Sequence, residues 1–465
     1  MPAGPPAPRP PPSTLGLPTS GPAWWVLAIF VALLTAKVSL ISIQAGCTVA
    51  LVVVTVGLYA RDRTAGLVAV WLTWLLAPFI RRIFLLSEPL TGTEPLALAP
   101  FLVTAVIVGL EIQQVTLSKR ARRMILCVAG GYAVGMPMGF VIAPPAAVFA
   151  FFAYITAAGC FVIGYREAKE ARPVLSRLMI AIGPFLALYA FRQYYVVPLP
   201  EWDSVWQKAA QFETGGSPEA GRIRVWGTLN SPGTFALVMA FTTICYLTMR
   251  RLTPWAFVGL LTVLGALALT YVRSAWVGLV IALIAIVLVS RGAALKRVVP
   301  LLLLLVVLGP VVFGGSTGQA IGGRVGTFGS VGQDQSAGDR TGASLALVPF
   351  GLSRPGGVGI GQAGEATRLG GGGIRVTDNG YLSTLLQVGP FGFLLVMIAL
   401  VSTYRNAWRN ARRRPAGLDL LVFAVMTFFV ITLLSGDAFY GFGGMIFWYF
   451  AGIAVRRYEL AEVPA

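Results

Sequence analysis

Long apolar runs alternate with short polar segments from residue 23 to residue 455. A transmembrane helix needs about 20 predominantly apolar residues, and these runs have roughly that length. The pattern therefore predicts an all-α polytopic membrane protein with about 14 transmembrane helices, in the range 12–14. The predicted spans lie near residues 23–42, 45–60, 65–86, 95–113, 123–141, 146–165, 174–196, 229–249, 254–272, 274–290, 298–314, 380–402, 417–434 and 441–455.

Lysine and arginine gather in alternate loops of this pattern. Loops and tails of one parity carry 23 Lys and Arg against seven Asp and Glu, whereas the other side carries 12 against 11. By the positive-inside rule the basic loops face the cytoplasm, and both chain termini then lie on that side. The basic loops lie near residues 61–63, 119–123, 166–177, 250–251, 291–297, 405–414 and 456–457.

The spans and their orientation predict seven segments. Residues 1–22 form a Pro-rich cytoplasmic tail without the apolar core of a signal peptide, and residues 456–465 form a second cytoplasmic tail. An apolar run at residues 343–350, on the outer side, predicts a short helix against the membrane face. The other segments are the N-terminal helices 23–196, the extracytoplasmic loop 197–228, the central helices 229–314, the large extracytoplasmic loop 315–379 between the helices near 298–314 and 380–402, and the C-terminal helices 380–455.

The composition excludes several classes of protein. Of the 465 residues, 56% are hydrophobic and 12% are charged, and the mean hydropathy is +0.77. Soluble domains carry about 25% charged residues, so a soluble enzyme, a disordered chain and a disulfide scaffold are excluded. The net charge is +18, but the basic residues lie between apolar runs and do not cluster on one folded face. Binding of nucleic acid is therefore not expected. With no His and four scattered Cys, the sequence predicts no metal site.

Several arginines lie on the outer side, against the positive-inside rule. Arg81 and Arg82 end the third predicted span, Arg222 and Arg224 precede the eighth, and Arg273 lies in the tight turn between the ninth and tenth. Arginine near membrane depth usually faces a partner or a watery cavity, and its planar fork binds phosphate oxygens. For the whole set, an anionic ligand such as a lipid-linked diphosphate is the favoured explanation. For each arginine alone, pairing with an outer carboxylate is an equally good one.

The signatures of nucleotide binding and ion transport are missing from the sequence. Gly359-Ile-Gly361-Gln-Ala-Gly364 has the spacing of a dinucleotide fingerprint, but no predicted strand precedes it and no ribose-binding acid follows. No phosphate-binding P-loop is present. Carboxylates are nearly absent from the middle of the spans, which disfavours an ion-coupled transporter. Asn230-Ser231-Pro232 predicts a helix cap.

Four stretches between residues 222 and 392 together resemble the O-antigen ligase/polymerase superfamily of bacterial membrane glycosyltransferases. Asp378-Asn379-Gly380-Tyr381-Leu382, followed by Gly389-Pro390-Phe391-Gly392, resembles the family's His-Asn-x-x-Leu and Gly-x-x-Gly signature, with Asp378 where the ligases have His. The other similar stretches are Arg224 to Gly233 (an Arg-x-x-Gly-x-x-x-x-Pro entry into a helix), Arg273-Ser274 (an Arg at an outer turn), and Asp339-Arg340 with Pro355 to Gly361 (an Arg followed by a Pro- and Gly-containing stretch).

The resemblance implies an inverting glycosyltransferase that needs no metal, nucleotide or other cofactor. It would transfer a glycan from a polyprenyl-diphosphate donor to an acceptor sugar hydroxyl at the outer leaflet. Aspartate in place of histidine favours a polymerase over a ligase. The residues that the resemblance assigns are Asp378 as the catalytic residue, Arg224, Arg273, Arg340 and Arg222 as diphosphate-binding residues, and Arg81, Arg82, Asn379 and Tyr381 as secondary candidates.

Two other functions remain open at this stage. A polysaccharide or lipid exporter would use the outer arginines to bind its cargo, and a peptidoglycan-type polymerase would use an acidic residue in an outer loop. The partners implied by the resemblance are the lipid-linked oligosaccharide donor, the glycan acceptor, membrane lipid, and flippase or chain-length regulator proteins. The expected location is the bacterial inner membrane, as a multi-pass protein with both termini in the cytoplasm.

Overall fold

The chain forms a helical bundle. The computed structural model describes residues 43–84, 94–196, 198–209, 223–249, 251–290, 292, 346–370 and 379–462. Of these residues 81% are helical and none forms a strand. Seven helices are long and apolar enough to cross a membrane, and shorter apolar helices of 16 or 17 residues accompany them. The predicted fold class, an all-α polytopic membrane protein, is therefore confirmed.

The helices follow the apolar runs of the sequence closely. Those in the described residues are α1 (Ile43–Arg61), α2 (Arg63–Phe84), α3 (Pro95–Gln114), α4 (Lys119–Val134), α5 (Met136–Ile142), α6 (Pro144–Glu167), α7 (Val174–Tyr195), α8 (Glu201–Ala209), α9 (Pro232–Leu247), α10 (Pro254–Leu269), α11 (Arg273–Val289), α12 (Gly380–Arg413), α13 (Gly417–Thr432) and α14 (Gly441–Glu462).

Most predicted spans coincide with one of these helices. The predicted spans 23–42 and 298–314 lie outside the described residues, as does the tail 1–22. The predicted span 123–141 is divided into α4 and α5 at Gly135, because Pro137 has no N–H and its ring clashes with the preceding turn of a continuous helix. Residues 346–352 are helical, where a short helix was predicted over 343–350, and residues 343–345 lie outside the described part.

Contacts between the helices show which helix ends lie together at each of the two ends of the bundle. On the face that carries the basic loops, Glu111 at the end of α3 accepts from the Arg63 Nε at 2.6 Å and from Arg166 at 3.0 Å. On the same face the Arg457 Nε lies 2.5 Å from an Asp419 carboxylate oxygen. We call this end of the bundle the basic face. The opposite end carries α8 and residues 223–231 and 433–440, and we call it the loop face; that the basic face is cytoplasmic stays a prediction.

Helices α6 and α14 pack with their backbones in contact. A methyl group on Gly452 would lie 2.0 Å from the Phe161 carbonyl oxygen, and one on Gly164 would meet the Tyr449 carbonyl still more closely. Small residues allow this approach, as is common between membrane helices. The contact fixes Tyr154 on α6 relative to the loop that precedes α14, which matters for the site described next.

Candidate functional site

Arg224 and Arg273 lie at one turn on the loop face. The Arg224 Nε donates to the Thr270 carbonyl at 3.1 Å, and the Val225 N–H donates to the Leu269 carbonyl at 3.2 Å. Arg273 is the first residue of α11 and follows Thr270 by three positions. Both arginine side chains are partly exposed. The structure therefore brings together two of the arginines that the sequence assigns to a diphosphate, at the connection between α10 and α11.

The turn that joins α10 to α11 is strained and well anchored. Tyr271 has a φ of 53°, in the left-handed region, which costs a residue with a side chain about 1–2 kcal/mol. Its buried hydroxyl lies 2.7 Å from the Tyr194 hydroxyl on α7. Strain of this kind persists where the surroundings enforce it, and it clusters at functional sites. The anchored turn fixes where α11, and hence Arg273, begins.

Arg82 lies inside the bundle and fixes the position of the segment that carries Arg224. Its side chain is 0% exposed, and its guanidinium lies 2.5 Å from an Asp203 oxygen and 2.8 Å from the Gly227 carbonyl. The Gln193 side chain accepts from the Gly227 N–H at 2.9 Å, which fixes the same residue a second time. Gly227 follows Arg224 by three positions. Of the two explanations that the sequence left open for Arg82, the structure shows pairing with a carboxylate. Arg82 contributes to the site by holding Gly227 in position.

Three secondary candidates also have structural partners. Arg81 lies 2.8 Å from a Glu94 carboxylate oxygen, and its guanidinium carbon is 5.1 Å from the centroid of the Trp206 ring. Asn379 caps α12, because its side-chain oxygen accepts from the N–H groups of the second and third helical residues at 3.0 and 3.1 Å. The Tyr381 hydroxyl donates to the Val430 carbonyl at 2.9 Å and joins α12 to α13. Ser231 caps α9 in the same manner as Asn379, so the predicted cap is confirmed.

The remaining assigned residues lie outside the described part of the chain. They are Asp378, Arg340 and Arg222. Asp378 is the chain neighbour of Asn379, so the start of α12 is the described part of the chain nearest to it in sequence.

A carboxylate that the sequence analysis did not single out lies beside the start of α12. Asp437, in the connection between α13 and α14, accepts from the Tyr154 hydroxyl at 2.5 Å and from the Ser383 hydroxyl at 3.1 Å. A methyl group on Gly380 would lie 3.2 Å from the Asp437 Cα, so the two backbones are in contact. In the sequence, Asp437 is one acid in a short outer turn, and its partner Tyr154 is 283 residues away.

The surroundings of Asp437 favour its protonated form. Burial raises the pKa of Asp437 above the usual value, and the hydrogen bonds from Tyr154 and Ser383 offset part of that rise. A carboxylate with a raised pKa is better suited to accept a proton near neutral pH than a fully solvated one. Gln387 extends the network, because its amide nitrogen donates to both Tyr154 and Ser383 at 3.1 Å.

Residues 355–364, which we call the glycine segment, enter the bundle between α4, α5, α6 and α12. The Ile360 N–H donates to the Gly135 carbonyl at 2.9 Å, and the Gly361 N–H donates to the Gln387 side chain at the same distance. Ile360 is 0% exposed. The interrupted helix at Gly135 and the Gln387 side chain thus satisfy backbone groups that membrane depth would otherwise leave unpaired.

Glycines make this insertion possible. A methyl group on Gly361 would lie 2.5 Å from the Ala146 carbonyl, and one on Gly359 would lie 2.4 Å from the Gly139 nitrogen. Helix α12 kinks at Gly389, whose φ is 67° and where a methyl group would lie 2.3 Å from the Pro355 carbonyl. The run that mimics a dinucleotide fingerprint thus packs on α5 and α6, whereas Gly389 packs on the residues just before that run, Arg354 to Gly357.

The arginine turn and the start of α12 are linked through α13. On α11, a methyl group on Gly278 would lie 2.9 Å from the Thr432 side chain at the end of α13. The next residue, Leu433, accepts from the Gly380 N–H at 2.7 Å. The loop face thus joins a cationic turn, whose charge can stabilise an anion, to a carboxylate network that can accept a proton.

Comparison with known families locates a match within this region. Residues 256–397 match a protein family described as O-Antigen ligase. The resemblance noted in the sequence is confirmed over these residues, which run from α10 into α12 and include Arg273 and Asp378. Arg224, Arg82 and Asp437 lie outside the matched range. No curated protein and no solved structure matches the chain.

Proposed function

We propose, on the premise that this integral membrane protein carries an O-antigen ligase domain at residues 256–397, that it transfers a glycan from a polyprenyl-diphosphate donor to an acceptor sugar hydroxyl. The domain belongs to a family of membrane glycosyltransferases of the O-antigen ligase/polymerase type. The reaction takes place at the loop face, in the outer leaflet of the membrane. Polymerisation of the glycan is favoured over its ligation to a lipid acceptor, because Asp378 stands where the ligases have histidine.

The observation that carries this proposal is that Arg224 is hydrogen-bonded to the turn between α10 and α11 that ends at Arg273. Each guanidinium offers a planar pair of donors that matches two phosphate oxygens. Arg340 and Arg222 would add further positive charge. As the bond between the anomeric carbon and the diphosphate oxygen breaks, negative charge grows on the diphosphate, and fixed cations stabilise that charge.

The acceptor hydroxyl is activated at the start of α12. Asp378 accepts the proton as the hydroxyl oxygen forms its bond to the anomeric carbon, on the side opposite to the departing diphosphate. The configuration at that carbon is thereby inverted. Asp437 assists as a positioning residue, because it fixes Tyr154 and Ser383 around the first turn of α12. The glycine segment packs against α12. It thereby excludes water from the space between α12 and the neighbouring helices.

The arginines are tested by single substitution in membranes supplied with a lipid-linked oligosaccharide. We expect Arg224→Ala, Arg273→Ala and Asp378→Asn each to lower the rate of polymer formation by about 100-fold or more, the usual effect of removing a charge-stabilising or proton-accepting group. Arg192→Ala is the matched control, since Arg192 lies on the same face and donates to the Val196 carbonyl at the end of its own helix. Wild-type rates in all three variants would overturn the proposal.

Two further measurements sharpen this test. Arg273→Lys keeps the charge but loses the planar fork, so we expect the KM for the donor to rise about tenfold while the protein remains folded. A ladder of products from the lipid-linked donor alone indicates a polymerase. Transfer that occurs only when a separate glycolipid acceptor is added would indicate a ligase instead.

A further inference from the structure

A groove lined by arginines separates α4 from α12 at the basic face, far along both helices from the loop-face site. It consists of a cavity of about 450 Å³ and a neighbouring one of about 360 Å³. The first is lined by Arg120, Arg123, Met124, Ser402, Arg405, Asn406, Arg409 and Tyr458. The second is lined by Lys119, Arg122, Arg123, Leu126, Cys127 and Leu395. Arg123 belongs to both, so the two cavities adjoin.

The charges that line the first cavity are unbalanced. Four arginines and no carboxylate are among its lining residues. Arg120 pairs with Glu462 at 2.8 Å, and Arg409 donates to the Tyr458 hydroxyl at 3.1 Å. Within the described part of the chain, Arg123 and Arg405 have neither a carboxylate within salt-bridge distance nor a side-chain hydrogen bond. The cavity therefore has two guanidinium groups available for an anion.

A buried amide points to the same cavity. Asn406 is 7% exposed, and its side chain lines the cavity between Arg405 and Arg409. Within the described residues its amide makes no hydrogen bond, and its amide atoms are open to the cavity and not fully buried. The amide can therefore contact a polar ligand beside the two guanidinium groups.

The second cavity adds an apolar wall. Leu126 and Cys127 lie about one helical turn beyond Arg123 along α4, and Leu395 lies on α12 nearly three turns before Arg405. Leu126 is 62% exposed on the outside of α4, where the bundle faces the lipid. A ligand that occupied both cavities would place a charged group among the arginines and an apolar chain alongside α4 and α12.

We propose that this groove binds an anionic phospholipid of the leaflet at the basic face. Its phosphate lies among Arg123, Arg405 and the Asn406 amide, and one acyl chain lies along Leu126 and Leu395. Basic pockets between membrane helices attract anionic headgroups in this way. The proposal commits to a lipid because Leu126, Cys127 and Leu395 can pack against an acyl chain but cannot bind a soluble phosphate ion.

The test measures lipid selectivity of the purified full chain. Spin-labelled phosphatidylglycerol and phosphatidylcholine are compared by electron paramagnetic resonance in reconstituted membranes. We expect the chain to prefer phosphatidylglycerol, and Arg123→Gln with Arg405→Gln to reduce this preference by about 30-fold, the combined effect of two arginines near a lipid headgroup. The control is Arg177→Gln with Arg251→Gln, which removes the same charge from exposed positions at the basic ends of other helices.

The outcomes separate the alternatives. Loss of selectivity in the first pair but not in the control pair supports a defined site, whereas equal loss in both overturns it in favour of general surface charge. Inorganic phosphate or glycerol phosphate that displaces the lipid at millimolar concentration would overturn the commitment to a lipid. Leu395→Trp, which fills the apolar cavity without changing charge, should also weaken the binding of phosphatidylglycerol. Unchanged binding in Leu395→Trp contradicts the place given to the acyl chain.

Discussion

Asp437 illustrates how a partly buried carboxylate can lower the stability of a fold. Its ionised form loses hydration between α12, α13 and α14, and burial raises its pKa. A carboxyl group whose pKa is higher in the folded than in the unfolded chain destabilises the fold above that pKa, and the cost is relieved as the pH falls through it. What Asp437 contributes to the stability of the bundle is therefore its hydrogen bonds with Tyr154 and Ser383 and not its ionised charge.

We therefore expect Asp437→Asn to change the thermal stability at pH 7 little, because the amide oxygen still accepts from Tyr154 and Ser383, whereas the Phe439 N–H loses its acceptor. Glycosyl transfer should fall at least tenfold. The melting temperature of the parent should rise relative to that of Asp437→Asn as the pH is lowered from neutral toward the ordinary pKa of an aspartate, all measured in detergent. Asp437→Ala, which leaves two buried hydroxyls without an acceptor, should lose about 1–3 kcal/mol of stability. Full activity in Asp437→Asn would reduce this residue to a structural role.

The glycine segment and the kinked helix α12 form one element in physical terms. Residues 355–364 are held by the Gly135 carbonyl and the Gln387 side chain, and the kink at Gly389 makes room for Pro355. At Gly361 and Gly389 the contact is with a neighbouring backbone, so a side chain larger than hydrogen is excluded there by sterics. The segment therefore packs against α12 on one side and against α5 and α6 on the other, so the position of α12 is coupled to that of α5 and α6.

Gly361→Ala tests this contact, with Gly370→Ala as its control. Both positions have positive φ, but a methyl group on Gly370 meets open space, whereas one on Gly361 lies 2.5 Å from the Ala146 carbonyl. Gly370→Ala should cost only the strain of a left-handed residue, about 1–2 kcal/mol. Gly361→Ala should cost about 1–3 kcal/mol more, from overpacking. Equal shifts in melting temperature for the two variants would mean that the segment is not packed as described.

Local patterns were sufficient to predict most helices, but not the way in which residues meet. The runs that became α2, α6 and α13 are read directly from apolar length, and the cap at Ser231 follows from the Ser-Pro pair. Arg273 was identified because an arginine in an outer turn breaks the charge rule. The position of Asp437 in a hydrogen-bond network could not be predicted, because its partner Tyr154 lies far away in the chain. The insertion of Ile360 was missed for the same reason: its partner Gly135 lies on another helix.

The whole molecule has two faces of different charge. The basic face holds ion pairs such as Arg457–Asp419 and Arg63–Glu111 between helix ends, and the loop face holds the arginine turn and Asp437. A charge difference of this kind orients a membrane protein during insertion. The direction of the bundle in the membrane is therefore a testable property of the entire chain.

Single cysteines measure this direction. In a background with Cys47 and Cys127 replaced by Ala, Arg251→Cys marks the basic face and Glu201→Cys marks the loop face, both at exposed positions. We expect a membrane-impermeant maleimide to label Glu201→Cys in intact spheroplasts and Arg251→Cys only in inside-out vesicles. The reverse pattern would invert the predicted topology and move the arginine turn to the cytoplasm.

The Arg82–Asp203 pair has a consequence for the biogenesis of the protein. The two residues are 121 positions apart, and in the finished bundle both are sealed from water. At a synthesis rate of about 5–20 residues per second, Arg82 leaves the ribosome about 6–24 s before Asp203. During that interval a lone guanidinium cannot remain inside the bundle, so the outer end of α2 stays at the headgroup region until α8 arrives. We therefore expect the end of α2 that carries Arg82 to become sealed from water only after α8 has been made and has docked against it.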